Sequence, residues 1–468
     1  MDRAIEQKEI ALSTTQSVCP ECLKRIPAVR VLKGNNVYLR KNCPEHGEVQ
    51  VCVWEGEPGY LDWVNPQIPS SPVACATQVD KGCPFDCGLC PEHRQQTCCV
   101  LLEVTNLCNL HCPVCFASAS ESCKEEPDFK VIEGWYRMLM NSGGPFNIQL
   151  SGGEPTMRDD LPEIIALGKT LGLVFFQVNT NGLRLAADEQ YVERLKAAGL
   201  NCVFLQFDGI SDDVYLKLRG RALFDLKKKA IEVCAAHDLG VVLVPTLVPG
   251  VNDSQLGDIL KFAIRNMPIV RGVHFQPVSY FGRYPEEPDD SGRITLPRVL
   301  REIEKQTNGQ MKASDFRPPG GEHAHCSFHA NFILMPDGQI KPLKQDSASG
   351  CCCQGKPATE GAKRARQFVA RQWSAPKIGT KCKDQLTQAG VGNTASLDAF
   401  LEQVNTYTLA VSGMAFQDVW NLDLDRLKQC FIHVVGPDNR LIPFCAYNLT
   451  NRQGAPLYRK KLGKDSII

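Results

Sequence analysis

The sequence carries no net charge and no long apolar run. Its 52 lysines and arginines balance 52 aspartates and glutamates, so no overall field favours nucleic acid or an acidic membrane surface. The most apolar window, Leu239 to Val251, is interrupted by Pro245 and Pro249 and is too short to span a membrane. The beginning, MDRAIEQKEIALS, lacks the apolar segment of a signal peptide. These absences predict a cytoplasmic protein with no transmembrane span and no nucleic acid partner.

Cysteine, in contrast, is abundant, with 23 residues. In a reducing cytosol, metal binding is a better default for them than disulfides. Most of them fall into four groups, which favours several metal centres. The groups are Cys19, Cys22 and Cys43; Cys83, Cys87, Cys90, Cys98 and Cys99; Cys108, Cys112 and Cys115; and Cys326, Cys351 to Cys353, Cys382, Cys430 and Cys445. Cys202 and Cys234 lie in apolar strand and helix patterns and are predicted to be core residues.

Apolar runs alternate with amphipathic segments from Val100 to Pro277, which predicts an α/β fold. Six such repeats indicate a partial (β/α)6 barrel of parallel strands, with a doubly wound open sheet as the alternative. The predicted strands are Val100 to Thr105, Asn147 to Leu150, Val174 to Asn179, Cys202 to Phe207, Val241 to Leu247 and Gly272 to Pro277. The predicted helices are Lys130 to Met140, Leu161 to Leu171, Glu189 to Ala198, Leu223 to Ala236 and Gln255 to Ile264.

The chain is predicted to have four parts. A small amino-terminal metal ribbon spans residues 1–75, and a cysteine-rich loop for an auxiliary cluster spans 76–99. The barrel spans 100–306, and a carboxyl-terminal domain for a further cluster and the substrate spans 307–468. Within that last part, the segment Ser347 to Thr380 is rich in Gly, Ala, Lys and Arg and is predicted to be a loop.

Three cysteines with the spacing C-x3-C-x2-C directly follow the first predicted strand. They are Cys108, Cys112 and Cys115. A cubane iron–sulfur cluster normally takes four thiolates, so a loop with three leaves one iron open to a ligand that is not protein. A structural zinc knuckle is the alternative use of these cysteines. Active groups of parallel sheets lie at the carboxyl ends of the strands, and the triad follows one of these ends.

The second predicted strand runs into QLSGGEPTMR, which contains Gly152, Gly153, Glu154 and Pro155. The triad and this turn, one strand apart, resemble the radical SAM enzymes. The resemblance implies that the triad holds a [4Fe–4S] cluster whose open iron binds the amino and carboxylate groups of S-adenosylmethionine (SAM). It also implies that one electron cleaves SAM to a 5′-deoxyadenosyl radical, and that the GGEP turn binds the methionine amino group.

Two further strand ends carry polar residues at the same rim. The third strand ends in NTNG and the fourth in LQFDG. In similar enzymes these positions hold the ribose and carboxylate of SAM, which implicates Thr180, Asn181, Gln206 and Asp208. Helix capping and turn formation are the alternative roles for these residues.

The amino-terminal segment contains two pairs of metal-ligand residues about twenty residues apart, the spacing of zinc ribbons. The pairs are Cys19 with Cys22, and Cys43 with His46. A rubredoxin-like iron also fits thiolates at this spacing. The pattern therefore predicts a metal site with a structural role, holding zinc or iron.

Two later groups are candidates for auxiliary [4Fe–4S] clusters. Cys83, Cys87, Cys90 and Cys98 lie within sixteen residues and can supply four thiolates, with His93 and Cys99 as spare ligands and a second zinc site as the alternative. Near the end, a predicted β-hairpin lies between Cys430 and Cys445, and Cys326 is expected to join them at a further cluster.

Several stretches together resemble a narrower family, that of the pterin-precursor methylase of methanogens and the tetraether lipid synthase. They include GCPFDCGLCPEH, CNLHCPVCFA, QLSGGEPT and IPFCAYNLTNRQGAPLYR. The resemblance implies methylation or carbon–carbon bond formation at an unactivated carbon of a pterin-like or lipid-like substrate. It also implies one or two auxiliary [4Fe–4S] clusters and a flavodoxin or ferredoxin-type electron donor. Where that family often has a cysteine, this chain has Gly413, so two alternatives follow: a substitute ligand among Cys351 to Cys353, or absence of the last auxiliary cluster.

The sequence leaves two alternative functions open. A radical SAM enzyme that modifies a ribosomal peptide also carries extra clusters, but its tail has a different, seven-cysteine arrangement. A non-catalytic iron–sulfur or zinc protein that binds a partner is the alternative from another class, and the neutral charge balance and long α/β core argue against it.

Overall fold

The protein was analysed as a computed structural model that describes residues 9–121, 126–343, 356–376, 397–436 and 438–459. The first described residues form a four-stranded antiparallel sheet. Its strands are β1 (Glu9–Val18), β2 (Arg25–Lys33), β3 (Asn36–Cys43) and β4 (Gly47–Glu55). A two-residue strand, β5 (Gln67–Ile68), follows before the cysteine-rich loop.

Six parallel strands form the centre of the main sheet, in chain order from one to the next. They are β6 (Cys99–Thr105), β7 (Asn147–Gly152), β8 (Phe175–Thr180), β9 (Cys202–Gln206), β10 (Gly240–Val244) and, after the short β11 (Thr246–Leu247), β12 (Val270–Pro277). All five residues of β10 are buried, as expected of a continuous apolar run in a sheet covered on both faces. The six predicted strands and the α/β class are confirmed.

Helices connect these strands, and the five predicted ones are present within two residues at each end. The helices are α1 (Phe129–Asn141), α2 (Leu161–Thr170), α3 (Leu183–Ala187), α4 (Glu189–Ala197), α5 (Asp212–Arg219), α6 (Phe224–Ala236), α7 (Leu256–Arg265) and α8 (Leu296–Gln306). Helix α1 begins where the Asp128 side chain accepts a hydrogen bond from Val131 N, a standard N-cap. Its buried face includes Trp135 and Tyr136.

The carboxyl-terminal part extends this same sheet at both sides. Its elements are β13 (Ser327–Leu334), β14 (Ile340–Pro342), β15 (Lys356–Pro357), α9 (Ala358–Gln372), α10 (Leu397–Thr406), β16 (Thr408–Met414), α11 (Leu424–Leu427), β17 (Ile432–Val435), β18 (Leu441–Pro443) and α12 (Phe444–Asn448). Strand β16 pairs in parallel with β12, and β17 in parallel with β6. Strands β13 and β18 then add antiparallel neighbours, and β17 with β18 forms the predicted hairpin.

The two sides of the sheet approach each other at a seam. Met414, the last residue of β16, packs with Cys98 and Phe431, which directly precede β6 and β17. The sheet therefore curls into a partial barrel, as predicted, with the end of β16 beside the residues that precede β6 and β17.

Helix α9 lies across the amino ends of the strands. Its Arg366 carbonyl accepts a hydrogen bond from Asn147 Nδ2 at the start of β7 (3.1 Å). At its other end, Trp373 stacks within 5.1 Å of Phe204, and the Gln372 carbonyl accepts a bond from Arg271 Nε (2.9 Å). The prediction of a loop over Ser347 to Thr380 is therefore wrong for this part, because burial of Trp373 and Ala362 stabilises a helix there.

The amino-terminal sheet docks onto the segment before α11. Arg30 and Asp423 form a buried two-point ion pair with contacts of 2.7 Å and 2.8 Å. Lys41 is also buried and donates hydrogen bonds to the Val18 and Val419 carbonyls. Among the described residues, no helix is of sufficient length and apolarity to cross a membrane.

Candidate functional site

The three cysteines of the triad lie in the loop that follows β6, and all line one large cavity. Arg283 fixes the loop: its Nε donates to the Cys112 carbonyl (2.8 Å), and its backbone pairs with that of Cys115. Burial raises the pKa of the Cys108 thiol to about 12, and the nearby Glu154, Cys112 and Cys115 act in the same direction. A bound cation is what would favour thiolates in such a setting. The donor set fits a cluster held by three cysteines.

The GG pair after β7 supports this loop through the backbone. Gly153 N donates to the Thr105 carbonyl and Glu154 N to the Leu107 carbonyl, both at 2.8 Å. A Cβ on Gly153 would lie 2.2 Å from the Leu107 oxygen. The two glycines therefore admit the protein's own backbone, namely the end of β6 and the start of the cysteine loop.

Glu154 joins the ends of β7 and β8. Its Oε1 accepts hydrogen bonds from Thr156 Oγ1 and Thr180 Oγ1, both at 2.6 Å, and its Oε2 accepts one from Asn181 N (2.7 Å). Asn181 Nδ2 then donates to Asn109 Oδ1 (2.7 Å), inside the cysteine loop. Glu154, Thr180 and Asn181 therefore come together beside the triad and line the cavity. Pro155 starts a short 3₁₀ turn and does not line it.

The structure places the predicted cofactor residue Asp208 behind the cavity wall. Asp208 is fully buried, does not line the cavity, and accepts two 2.7 Å hydrogen bonds from Arg219 Nε and Nη2. Arg219 lines the cavity, and its Nε lies 3.1 Å from the side-chain amide of Gln206, which also lines it. Asp208 thus positions Arg219, a residue that the sequence analysis misses. Arg219 lies eleven residues after Asp208, at the end of α5, and the local sequence contains no signal of this pairing.

The cavity has a volume of about 1320 Å³ and extends from the triad into the barrel. Uncharged polar side chains form much of its wall: Gln149, Asn179, Gln206, His274, Gln276, His329, Asn331 and Ser412. Burial lowers the pKa of His274 to about 4, so its imidazole is neutral at neutral pH, and it contacts Ser412 Oγ at 2.8 Å. Phe204 and Trp373 add apolar surface. Such side chains suit a polar molecule with hydrogen-bond donors and acceptors, and charged residues, among them Arg317 and Glu322, line the cavity as well.

The four predicted ribbon ligands form a compact group in the amino-terminal sheet. The ligand atoms of Cys19, Cys22, Cys43 and His46 all lie within 4.8 Å of one another. His46 Nδ1 is 3.6 Å from Cys19 Sγ and 3.4 Å from Cys43 Sγ. Three thiolates and one imidazole fit tetrahedral zinc.

We expect metal binding at this group to depend on Cys22 and not on Cys52. Cys22→Ser removes one of four ligands and should lower the zinc content of purified protein to near zero. Cys52→Ser is the matched control, because Cys52 lies in the same sheet with its thiol directed at the Trp54 carbonyl. Equal zinc content in the two variants, measured by elemental analysis, would contradict the assignment.

The structure brings together only part of the predicted Cys83, Cys87, Cys90 and Cys98 group. A hydrogen bond with Cys83, then burial, raises the pKa of Cys87 well above its usual value, and Cys90 adds to this. Cys98 instead packs with Met414 and Phe431 at the seam. The spare candidate His93 is buried and contacts the Cys430 carbonyl through Nε2 (2.8 Å).

Cys75, which the sequence analysis leaves out, belongs beside this loop. Ala76 N donates to the Gly88 carbonyl (3.0 Å), and Thr77 Oγ1 donates to the Asp86 carbonyl (2.6 Å). Gly88 directly follows Cys87 in sequence, so these two bonds place Cys75 next to the loop that carries Cys83, Cys87 and Cys90. In the sequence, the spacing C-x7-C-x3-C-x2-C from Cys75 to Cys90 is the pattern that could have identified Cys75 as a fourth cysteine of this group.

The tail cysteines converge from distant segments. Burial raises the pKa of Cys430 well above its usual value, and the neighbouring Cys445 and Cys326 act in the same direction. Cys326 precedes β13 and Cys430 precedes β17, so the group lies at the seam. Arg426 contacts the Cys326 thiol. The substitute ligands expected at Cys351 to Cys353 lie outside the described residues, and Gly413 sits within β16, where a Cβ would meet Phe328 at 2.5 Å.

Two family models match the chain. One, described as the radical SAM superfamily, matches residues 102–263. The other, described as the HMPTM N-terminal zinc ribbon domain, matches residues 11–55. The first covers the triad and strands β7 to β10, and the second covers the four-ligand group.

The chain is also similar to individual proteins. It is 36% identical to 7,8-dihydro-6-hydroxymethylpterin dimethyltransferase of Methanocaldococcus jannaschii, over 94% of each chain. It is 26% identical to a probable GTP 3′,8-cyclase of Methanococcus aeolicus over 54% of this chain and 88% of that one. The structure of Streptococcus suis SuiB bound to precursor peptide SuiA matches 46% of each chain with a TM-score of 0.38 and 16% identity.

Proposed function

The chain belongs to the radical SAM superfamily, in the family of the 7,8-dihydro-6-hydroxymethylpterin dimethyltransferase, and we propose that it methylates a reduced 6-hydroxymethylpterin. The observation that carries the proposal is the 36% identity over 94% of both chains, which spans the ribbon, the barrel and the tail. The enzyme class and its cofactors, a [4Fe–4S] cluster and SAM, follow from the family.

When bound, the reduced cluster and SAM supply a 5′-deoxyadenosyl radical able to take hydrogen from an unactivated carbon. Cys108, Cys112 and Cys115 hold the cluster. Glu154 keeps acceptor capacity on Oε2 for the methionine ammonium, because a carboxylate offers about four acceptor positions. The Arg219 guanidinium, held by Asp208, faces the cavity and is suited to the methionine carboxylate.

The wall of the cavity supports a pterin over a lipid. A lipid chain would offer no hydrogen-bond partner to the polar wall. Asn179 already bonds to Gln149 and His274 to Ser412, but each amide has further donor and acceptor positions that only a polar ligand can use. A pterin carries donors and acceptors around its rings and can pair with such groups. The neutral His274 and the amides also match an uncharged heterocycle.

Reconstitution without oxygen tests the proposal. Protein loaded with iron and sulfide is mixed with dithionite, SAM and 7,8-dihydro-6-hydroxymethylpterin, and the products are analysed by mass spectrometry. We expect 5′-deoxyadenosine and a pterin heavier by one or two methylene units. SAM carrying a deuterated methyl group shows whether that methyl reaches the pterin. Formation of 5′-deoxyadenosine with a pterin of unchanged mass would contradict the proposed substrate.

We also propose that Cys75, Cys83, Cys87 and Cys90 hold one auxiliary [4Fe–4S] cluster, in place of the set with Cys98. Cys326, Cys430 and Cys445 would then hold a second cluster at the seam. Because these residues do not line the cavity, a role in electron transfer fits them better than contact with substrate. A flavodoxin or ferredoxin-type protein is the proposed electron donor.

The two candidate ligand sets for the loop cluster predict different iron and sulfide contents for two cysteine variants. Cys75→Ala should remove about one cluster's share of iron and sulfide from the reconstituted protein, whereas Cys98→Ala should retain it. The reason is that Cys75 lies beside Gly88, while Cys98 packs with Met414. Iron and sulfide assays measure the cluster content of both variants. Loss in Cys98→Ala with full retention in Cys75→Ala would reverse the assignment.

A further inference from the structure

A buried carboxylate lies in the cavity wall near the seam. Glu322 is 5% exposed and lines the cavity. Its Oε1 accepts a hydrogen bond from Ser327 Oγ, the first residue of β13. Burial raises the pKa of its carboxyl to about 7. Such a carboxyl is costly to bury unless a partner compensates it.

The backbone around Glu322 is held in place by three side-chain amides. Asn65 donates to the Pro319 carbonyl, Gln95 to the Gly321 carbonyl and Gln67 to the Glu322 carbonyl. These amides come from the segment between the ribbon and β6. On the other side, α9 packs so closely that a Cβ on Gly361 would lie 2.1 Å from the Gly320 oxygen. The backbone that carries the Glu322 carboxylate is therefore held in a fixed position in the cavity wall.

Glu322 lies at the opposite end of β6 from the triad. The Gly321 carbonyl accepts a hydrogen bond from Gln95, which precedes β6 in the chain, so Glu322 lies near the start of that strand. The triad follows the end of that strand, which at about 3.3 Å per residue is roughly 20 Å away. This separation leaves room for the adenosyl group of SAM and one further small molecule between them.

Resting on the proposed function, we infer that Glu322 is a specificity residue that binds the 2-amino and N3–H edge of the pterin ring. That edge presents two parallel donors, and a carboxylate presents two parallel acceptors, the same fit as in a two-point arginine–carboxylate pair. The pyrimidine edge lies across the bicycle from the 6-hydroxymethyl substituent. Held by Glu322, the ring would direct its substituted edge toward the triad.

A second acceptor in the wall is consistent with a ligand rich in donors. Asn331 lines the cavity from β13, and its Oδ1 is buried with no hydrogen-bond partner among the described residues. An unpaired buried acceptor costs about 1–3 kcal/mol. A ring N–H of a bound pterin would satisfy it.

The test compares two ligands in three proteins, without oxygen. The ligands are 7,8-dihydro-6-hydroxymethylpterin and its analogue that lacks the 2-amino group, and affinity is measured by calorimetry. The unchanged protein should prefer the pterin by about tenfold to a hundredfold, as expected for a hydrogen bond to a charged group. Glu322→Gln should lose most of that preference. Glu360→Gln, which changes an exposed carboxylate that lines the same cavity, should keep it.

Each outcome decides the inference. If the unchanged protein binds both ligands equally, or if Glu322→Gln keeps the preference, Glu322 is not the residue that reads the 2-amino group. If the unchanged protein binds neither ligand and forms no methylated pterin, the proposed function itself fails, and the inference with it. Because the ligand comparison in the unchanged protein needs no variant, poor folding of Glu322→Gln would not block the test.

Discussion

Reconstituted protein carrying Cys112→Ala should form no detectable 5′-deoxyadenosine from SAM and dithionite. The triad supplies the three thiolates of the cluster, and Cys112 is buried in the loop that Arg283 fixes. Without it, two thiolates remain for a cluster that needs three, so the site should lose its iron. Liquid chromatography of the reaction mixture measures the product directly.

Cys234→Ala is the matched control for this change. Cys234 is 1% exposed within helix α6, in agreement with the predicted core role, and it lies away from the loop. Its loss should cost some stability through the cavity that it leaves while SAM cleavage continues. SAM cleavage by Cys112→Ala at the rate of this control would show that the triad does not hold the reactive cluster.

The second large effect is expected from Gly153→Ala. An alanine Cβ would lie 2.2 Å from the Leu107 carbonyl oxygen, which is backbone directly before Cys108. The loop must shift to admit it, at a cost of roughly 1–3 kcal/mol for overpacking. Because the cluster position depends on that loop, we expect at least a tenfold loss of SAM cleavage, on the order of the same free energy.

Gly134→Ala serves as the control for the added methyl group. Gly134 lies within helix α1, and a Cβ there would meet nothing within 4 Å. It should keep full activity and gain about 0.5–1 kcal/mol of stability, since alanine favours a helix interior. Thermal unfolding and the SAM cleavage rate measure both variants. Equal rates for Gly153→Ala and Gly134→Ala would show that the GG pair does not position the cysteine loop.

Much of the barrel could be predicted because its strands are buried on both faces. Runs such as VVLVP after Gly240 are continuously apolar, which is the pattern of a strand buried on both faces. The triad, the GGEP turn and the ribbon ligands could also be predicted, because each lies within a short stretch of sequence. Local spacing is sufficient when the ligands come from one loop or one hairpin.

Contacts between distant segments were not predictable in the same way. Arg219 is held at the cavity by hydrogen bonds to Asp208 and Thr246 from other strand ends, and Cys98 packs with Met414 at the seam. Helix α9 has a polar sequence, and it becomes a helix because the open end of the barrel buries its Trp373. In each case tertiary packing determines the position or conformation of the residues, and such packing leaves no periodic signal in the sequence.

Electron paramagnetic resonance of the reduced, reconstituted protein tests the central claim most directly. Three thiolates from Cys108, Cys112 and Cys115 leave one iron for SAM, so adding SAM should change the signal of that cluster, and the same addition to Cys112→Ala should change nothing. A spectrum of the unchanged protein that is identical with and without SAM would contradict the account.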